Sequence, residues 1–222
     1  MSLTVIDFLC GAGGSSTGLV ESGMELLLGV NHWSLALQTH AANHPKADHL
    51  LSDVADMRMR YLPKADGLWA SPICTELSPA GGNATEPPDN NQLDLFGEDE
   101  HGFKQLPKEA FEKTRVTAWC TVRAVEARAG SFKFVILENV PDFVMRWKLF
   151  RAFVSAMSDL GLQHQVASLN SAHIGDGDNL SAPQWRDRIY VVYLDSFELC
   201  GGGFPRSGVT LPRTASSLLC HG

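Results

Sequence analysis

A chain of 222 residues can enclose one substantial hydrophobic core, and we expect one domain rather than several. Hydrophobic residues make up 44% of the sequence and charged residues 19%, a globular composition that excludes a disordered or fibrous protein. The net charge of −7 argues against a surface that is basic throughout, as phosphate binding favours.

The negative charge is unevenly distributed. Residues 86–103, "EPPDNNQLDLFGEDEHGF", are rich in acidic side chains and contain no Lys or Arg, which indicates a loop-like segment. The later half of the chain retains several arginines. The overall charge therefore does not exclude a local site for nucleic acid.

The sequence favours a soluble protein. No apolar run reaches the roughly 18 residues that span a bilayer, and the first residues, "MSLTVIDFL", lack the basic region of a signal peptide. The five cysteines are scattered without C-x-x-C spacing, which argues against disulfides and a zinc site. We expect an intracellular protein with reduced thiols, no metal and no membrane partner.

Strand-like and helix-like segments alternate along the chain. In the first part, "LTVIDFL", "ELLLGV", "HLLSDV" and "GLWA" are predicted strands, while "LVESG" and "HWSLALQTHAANH" are predicted helices. In the second part, the predicted strands "FKFVILENV" and "RDRIYVVYL" follow the predicted helices "EAFEKTRVTAWCTVRAVEARAG" and "MRWKLFRAFVSAMSDLG". This alternation predicts an α/β fold with a doubly wound, mainly parallel sheet, whose ligands bind at the carboxyl ends of the strands.

A glycine-rich turn, "CGAGGSSTG", follows the first predicted strand. Gly11, Gly13, Gly14 and Gly18 remove side chains where a ligand must approach the backbone. Sites for nicotinamide, flavin and S-adenosylmethionine cofactors share such a G-x-G turn. The third glycine of the dinucleotide fingerprint is replaced by Ser16, which disfavours a Rossmann dehydrogenase.

The next two predicted strands also end in candidate ligand-binding residues. Trp33 follows the second strand and can lie against an adenine ring, and Asp53 ends the third and can accept a hydrogen bond from an exocyclic amine. Alternatively, Trp33 is an ordinary core aromatic residue and Asp53 is a helix N-cap. Because these residues follow successive strands, the pattern favours a nucleoside-sized ligand.

Three further groups are predicted at the same edge of the sheet. Cys74 follows the fourth predicted strand, and Glu138 ends an otherwise apolar strand, where an acid is costly without a partner. Glu138 is thus a candidate site residue, with structural ion pairing as the alternative. Arg186 and Arg188, two residues apart, are predicted to share one face and suit a carboxylate, a phosphate or a carbonyl oxygen. The remaining cysteines are predicted to be small buried hydrophobic residues: Cys10, Cys120, Cys200 and Cys220.

In this order, the glycine loop, the strand-end acid, P-x-C, E-N-V and Q-x-R-x-R resemble the motifs of the cytosine-C5 DNA methyltransferases, from about Val5 to Leu194. The resemblance implies a Rossmann-like fold and transfer of a methyl group from S-adenosylmethionine to C5 of cytosine in DNA, leaving S-adenosylhomocysteine. The helix "KTRVTAW" with Arg115 also resembles the family's helix after the nucleophile loop. The cofactor site that the resemblance implies comprises Leu9, Gly11, Ala12, Gly13, Gly14, His32, Trp33, Asp53, Val54 and Ser71.

The resemblance also implies a catalytic role for each strand-end group. Cys74 would attack C6 of a flipped cytosine, and Glu138 would hydrogen-bond and protonate N3. Asn139 would fix the loop. Arg186 and Arg188 would hold the base O2 and a neighbouring phosphate, and their charge would favour the Cys74 thiolate.

Four residues depart from the family motifs. Leu9 replaces a phenylalanine of the cofactor pocket, and His32 replaces the acid that binds the ribose. Ile73 stands where the family has a second proline, and Thr75 where it has glutamine.

A further departure concerns target recognition. We expect a catalytic domain over residues 1–195 with an acidic insertion at about 80–108, and then a Gly/Pro/Ser-rich tail or the start of a recognition domain over 196–222. The residues after Leu194 are too few for a recognition domain of ordinary size. The alternatives are a catalytic fragment, an enzyme whose partner chain supplies recognition, and a non-catalytic cofactor-binding subunit.

The expected partner is DNA, in the cytoplasm of a bacterium or a phage-infected host cell. An RNA substrate is less favoured, because the sequence has no basic or aromatic RNA platform. The pentapeptide "QLDLF", from Gln92 to Phe96, resembles the peptide that bacterial replication proteins insert into the sliding clamp. The same segment could instead be a loop that closes over the flipped base.

Overall fold

The computed structural model describes residues 2–74, 112–175 and 180–195, and the backbone of residues 97–98 and 104–105. The strands within these residues are β1 (Thr4–Phe8), β2 (Glu25–Asn31), β3 (Asp48–Leu51), β4 (Gly67–Ala70), β5 (Gly97–Glu98), β6 (Lys104–Gln105), β7 (Phe134–Asn139), β8 (Leu162–Asn170) and β9 (Asp187–Asp195). The helices are α1 (Gly14–Glu21), α2 (Ser34–Asn43), α3 (Glu112–Ala127), α4 (Asp142–Met145) and α5 (Phe150–Asp159), with short 3-10 turns at Met59–Tyr61 and Ser171–His173.

Seven of these strands form one mixed sheet in the order β3-β2-β1-β4-β7-β9-β8. The first five pair in parallel, and β9 runs antiparallel to both β7 and β8. Chain order reverses at β1 and β4, which is the usual position of a ligand crevice in doubly wound sheets. The observed fold confirms the predicted mainly parallel α/β architecture.

The core lies on both sides of the central strands. β1, β4 and β7 are apolar along most of their length, and Ile6, Leu68, Val135 and Leu137 are fully buried. Such continuous apolar runs are typical of parallel strands that are covered on both faces. The carboxyl ends of these three strands are therefore held at one edge of a rigid scaffold.

Some elements differ from the sequence predictions. β8 was not predicted, and β3 ends at Leu51 rather than at Asp53. The predicted helix "MRWKLFRAFVSAMSDLG" is interrupted, because the chain turns between α4 and α5 and buries Trp147 against the ring of Phe143 at a centroid distance of 4.8 Å. β5 and β6 form a short antiparallel pair within the acidic insertion.

Several predicted features lie outside the described residues. These are the pentapeptide from Gln92 to Phe96, Thr75, Cys200, Cys220 and the Gly/Pro/Ser-rich residues after Ser196. Across the described ranges, the chain has no helix long and apolar enough for a transmembrane span. Cys10, Cys74 and Cys120 are free thiols.

Candidate active site

The glycine loop leaves the end of β1 in a constrained backbone conformation. Leu9 has a φ of 60°, which is uncommon for a residue with a side chain and occurs mainly at functional sites and turns. Gly13 has a φ of 104°, and a Cβ atom there would lie 2.8 Å from the His44 ring. At Gly11 and Gly14 a Cβ atom would meet open space. The loop thus exposes its backbone at Gly11 and Gly14, and position 13 has no room for a side chain.

Helix α2 holds this loop through its last turn. The Asn43 side-chain amide donates to the carbonyl of Ala12 at 2.9 Å, and the His44 ring contacts the carbonyl of Gly13 at 3.1 Å. The Thr17 hydroxyl donates to the same Gly13 carbonyl at 2.9 Å. Side chains of α1 and α2 therefore fix the backbone that a cofactor would approach.

A buried polar network lies beneath the loop. Asp7 in β1 accepts hydrogen bonds from the hydroxyls of Ser15 and Ser16, each at 2.6 Å. His40 Nε2 lies 2.9 Å from the Ser16 hydroxyl oxygen, and His40 Nδ1 lies 2.8 Å from His49 Nε2. Because Ser16 donates to Asp7, His40 donates from Nε2, and a neutral His40 then accepts at Nδ1 from His49. This pattern is that of a neutral His40.

Burial shifts the pKa values of both buried ionisable groups in this network. Desolvation raises the pKa of Asp7 to about 6, although the Ser15 and Ser16 hydrogen bonds oppose the shift. Desolvation, with smaller effects of His44 and His49, lowers the pKa of His40 to about 4. Both shifts favour the neutral side chains, as expected for buried groups.

The ends of β2 and β3 present polar and aromatic groups to solvent. Trp33 is 59% exposed, so it is not a core aromatic residue, and its backbone N–H donates to the Asn31 side chain at 2.9 Å. His32 is also exposed. Asp53 is exposed and accepts from the Ala55 N–H at 2.8 Å, so it caps a turn, close to the alternative predicted for it.

These residues fit a nucleoside-containing cofactor such as S-adenosylmethionine. Open space at the glycine loop, an exposed indole and an exposed carboxylate follow three adjacent strands. Val54 is 1% exposed, so only its backbone can face such a ligand. The Ser71 N–H donates to the Phe8 carbonyl at 3.2 Å, which brings the start of the Cys74 loop beside the glycine loop.

Hydrogen bonds from two other elements hold the residues immediately before Cys74. Asn139, 2% exposed at the end of β7, donates from its side-chain amide to the carbonyl of Pro72 at 3.0 Å. In α3, the hydroxyl of Thr117 accepts from the Ile73 N–H at 3.0 Å, and that of Thr114 donates to the Ile73 carbonyl at 2.8 Å. Thr114 and Thr117 were not among the site residues predicted from the sequence.

Glu138 and Arg188 form an ion pair next to Cys74. Arg188 Nε lies 2.8 Å from Glu138 Oε1, and both side chains are about one-fifth exposed, at 20% and 21%. The ion pair agrees with the alternative prediction that Glu138 has a structural partner. The Glu138 carboxyl nevertheless lies at the same edge of the sheet as the Cys74 thiol. Arg186 is exposed and precedes β9 by one residue.

The charges around Cys74 have opposing effects. Burial raises the pKa of the half-buried Cys74 thiol, and the Glu138 carboxylate raises it further, whereas Arg188 and Arg186 lower it. The arginines therefore act in the predicted direction, but the net pKa is raised rather than lowered. In contrast, Cys10 and Cys120 are buried core thiols, as predicted, and burial raises the pKa of Cys10 to about 12.

The sequence also matches a known protein family over most of its length. The family model for C-5 cytosine-specific DNA methylase aligns with residues 3–198. This chain belongs to that family. The membership confirms the resemblance that the sequence motifs indicate.

The individual proteins that this chain resembles are distant in sequence. The type II methyltransferase M.FnuDI of Fusobacterium nucleatum is 29% identical over 79 residues, which cover 36% of this chain and 23% of that protein. A solved E. coli structure, described as a DNA modification methyltransferase encoded within a prophage, has a TM-score of 0.61 and 20% identity, and the match covers 89% of this chain and 48% of that one. DNMT2 of Spodoptera frugiperda has a TM-score of 0.60 and 16% identity, with coverages of 87% and 50%. The solved structures support the same Rossmann-like fold, and the chain spans about half of their length.

Proposed function

We propose that this family member transfers a methyl group to C5 of cytosine in DNA through a covalent bond between Cys74 and C6. The observation that carries this proposal is the arrangement at one sheet edge of a thiol, a carboxyl group and two guanidinium groups. Cys74 lies close enough to Glu138, Arg186 and Arg188 for their charges to affect its pKa. This is the set of groups that nucleophilic addition to a pyrimidine requires.

The proposed chemistry begins on a cytosine that has left the duplex, because a stacked base cannot enter the crevice. The Cys74 thiolate forms a bond to C6, and electron density moves toward C5 and N3. Glu138 donates a proton to N3, and Arg186 and Arg188 bind O2 and a backbone phosphate. C5 would then form a bond to the methyl group that S-adenosylmethionine supplies when bound, as the methyl–sulfur bond breaks. Loss of the C5 proton to solvent expels the Cys74 thiolate and restores the ring, and the N3 proton returns to Glu138.

Base binding and activation of the thiol are coupled in this scheme. In the free protein the carboxylate of Glu138 raises the pKa of Cys74. When Glu138 carries the proton that it shares with N3, this effect is lost, and the lowering effect of the two arginines remains. We therefore assign thiolate formation to the complex with the base.

S-adenosylmethionine, when bound, supplies the electrophilic methyl group, and S-adenosylhomocysteine is its product. We assign its amino-acid part to the backbone of Leu9, Gly11, Ala12, Gly13 and Gly14. Its nucleoside would contact His32, Trp33, Asp53, Val54 and Ser71. The exposed indole of Trp33 and the open space at Gly11 and Gly14 support this assignment.

Asn139 is proposed as a positioning residue, since its side chain is buried and bonded to the Pro72 carbonyl. We further propose that residues 1–195 form the catalytic domain. The chain spans about half the length of the matched solved structures, and we assign target selection to polypeptide outside residues 1–195. Binding of a sliding clamp by the residues from Gln92 to Phe96 stays a prediction.

Transfer of labelled methyl groups tests the proposal. The chain is incubated with DNA and S-adenosylmethionine labelled in the methyl group, and the label in cytosine C5 is measured. Cys74→Ser should abolish incorporation, whereas Cys120→Ala, which removes a core thiol, should retain it. Cofactor binding without any transfer, even with a recognition segment supplied, would favour the non-catalytic subunit instead.

A further inference from the structure

The peptide of Ile73 is held on both sides by side chains of α3. Its N–H donates to the Thr117 hydroxyl oxygen at 3.0 Å, and its carbonyl accepts from the Thr114 hydroxyl at 2.8 Å. The Thr117 hydroxyl in turn lies 3.4 Å from the Thr114 carbonyl, one helical turn earlier. Thr114 is fully buried and Thr117 is 5% exposed. We call Thr114 and Thr117, with these bonds to Ile73, the threonine clamp.

The bond to Thr117 requires a residue with a backbone N–H at position 73, whereas the bond from Thr114 requires only the carbonyl that every residue has. Proline has no N–H, so a chain that follows the family's P-P-C motif cannot donate to Thr117 from this position. Proline instead restricts the backbone covalently, through its ring. Ile73 lacks that restriction, but it gains one donor, and this donor is bonded to a buried hydroxyl.

Threonine is not a residue that a helix favours for its own stability. Its β-branched side chain loses rotamer freedom in a helix, and its hydroxyl competes for backbone hydrogen bonds. Two buried threonines one turn apart are therefore costly unless their hydroxyls have partners. In α3 those partners include the backbone N–H and the backbone carbonyl of Ile73.

From these contacts we infer that the threonine clamp positions Cys74 in place of the family's second proline. Thr114 and Thr117 act through the backbone of Ile73 and fix the direction in which the next residue, Cys74, leaves the sheet edge. Asn139 holds the preceding Pro72 carbonyl at 3.0 Å, so two consecutive residues are held by side chains. This inference rests on the proposed function of Cys74 as the nucleophile.

A double-mutant cycle between Ile73 and Thr117 tests the inference. Thr117→Val removes the hydroxyl at nearly constant volume, and Ile73→Pro removes the N–H while restoring the family residue. If the clamp replaces the proline, Thr117→Val should slow the reaction of Cys74 with 5-fluorocytosine DNA by about ten-fold or more in the native background. In the Ile73→Pro background the same change should cost less than about three-fold, since the bond is already absent.

Thr121 provides a matched control on the same helix. It is fully buried like Thr114, and its hydroxyl has no hydrogen-bond partner within the described part of the chain. Thr121→Val should therefore leave the reaction rate within experimental error, and the unfolding midpoint should stay the same or rise, because a buried hydroxyl without a partner is removed. Equal losses from Thr117→Val in both backgrounds, or equal effects of Thr117→Val and Thr121→Val, would overturn the inference.

Alkylation of Cys74 by iodoacetamide separates this inference from the proposed function, because it needs neither DNA nor cofactor. Release of the loop should expose the half-buried thiol, so Thr117→Val should speed alkylation and shift its pH profile to lower pH. The shift should be absent in Thr121→Val and largely absent for Thr117→Val in the Ile73→Pro background. If the native chain forms no DNA adduct but alkylation follows this pattern, the clamp stands and the catalytic proposal fails. An unchanged alkylation profile would refute the clamp.

Discussion

Removing one of the two buried ionisable groups below the glycine loop should uncover the pH dependence of the other. The carboxyl of Asp7 has its pKa raised from 3.8 to about 6, and His40 has its pKa lowered from 6.5 to about 4. Asp7 therefore contributes stability that is present below pH 3.8 and is lost as the pH rises through 6. His40 contributes stability that is present above pH 6.5 and is lost as the pH falls toward 4.

The two contributions have opposite signs over nearly the same pH range. One pKa unit corresponds to about 1.4 kcal/mol, so the Asp7 shift is worth about 3 kcal/mol. For His40 we count about 2 kcal/mol, less than its full shift, because its hydrogen-bond partner His49 is only partly buried and solvent there screens part of the effect. In the unsubstituted protein they should largely cancel between pH 4 and 6.5.

Asp7→Asn and His40→Gln should break this cancellation in opposite directions. Relative to the unsubstituted chain, the free energy of unfolding of Asp7→Asn should rise by about 3 kcal/mol from pH 4 to 6, because the native state no longer binds the additional proton at Asp7. On the same relative scale, that of His40→Gln should fall by about 2 kcal/mol from pH 4 to 6.5, because the unfolded state no longer binds the additional proton at His40. Urea denaturation at half-unit pH intervals measures both slopes. Parallel curves for all three proteins would refute the assignment of these groups.

Three further predictions concern the predicted cofactor-binding residues and the surroundings of Cys74. His32→Glu should tighten S-adenosylmethionine binding about ten-fold, because a carboxylate can accept hydrogen bonds from the ribose hydroxyls, and calorimetry measures this affinity. Glu138→Gln should lower the pKa of Cys74, because it removes the negative charge that raises it, and the pH profile of alkylation measures this change. Gly13→Ala should reduce stability by about 2 kcal/mol owing to its positive φ and its close neighbour, whereas Gly14→Ala should not, as denaturation would measure.

Each of these predictions has a result that would contradict it. Unchanged or weaker cofactor affinity of His32→Glu would place the ribose elsewhere. An unchanged or higher Cys74 pKa in Glu138→Gln would mean that the charge of Glu138 does not raise the pKa of the thiol. Equal stabilities of Gly13→Ala and Gly14→Ala would mean that the loop can relax around a side chain at either position.

The parallel part of the fold is predictable because its strands are continuous apolar runs. β1, β4 and β7 have this pattern, and the strand-end positions of Cys74 and Glu138 follow from it. β8 is not predictable in the same way, because it is an edge strand with mostly half-buried or exposed residues and no regular alternation. The break between α4 and α5 depends on the stacking of Trp147 on Phe143, which is a tertiary contact.

The parts of the site that sequence reasoning missed are contacts between distant residues. Asp7 and His40 are joined through Ser16, and no local pattern relates these positions. Thr114 and Thr117 look like ordinary polar residues of a helix, and only the fold brings them to Ile73. The one available signal was the absence of a proline at position 73, which indicates that another constraint must act there.

Trapping of the covalent intermediate tests the central claim most directly. The chain is mixed with S-adenosylmethionine and DNA that carries 5-fluorocytosine, whose fluorine prevents loss of the C5 substituent, and the intact protein mass is measured. We predict an adduct of the mass of the protein plus the methylated DNA strand, present in the unsubstituted chain and absent in Cys74→Ser. An adduct that persists in Cys74→Ser, or no adduct when the cofactor is bound and a recognition segment is supplied, would contradict the assignment of Cys74 as the nucleophile.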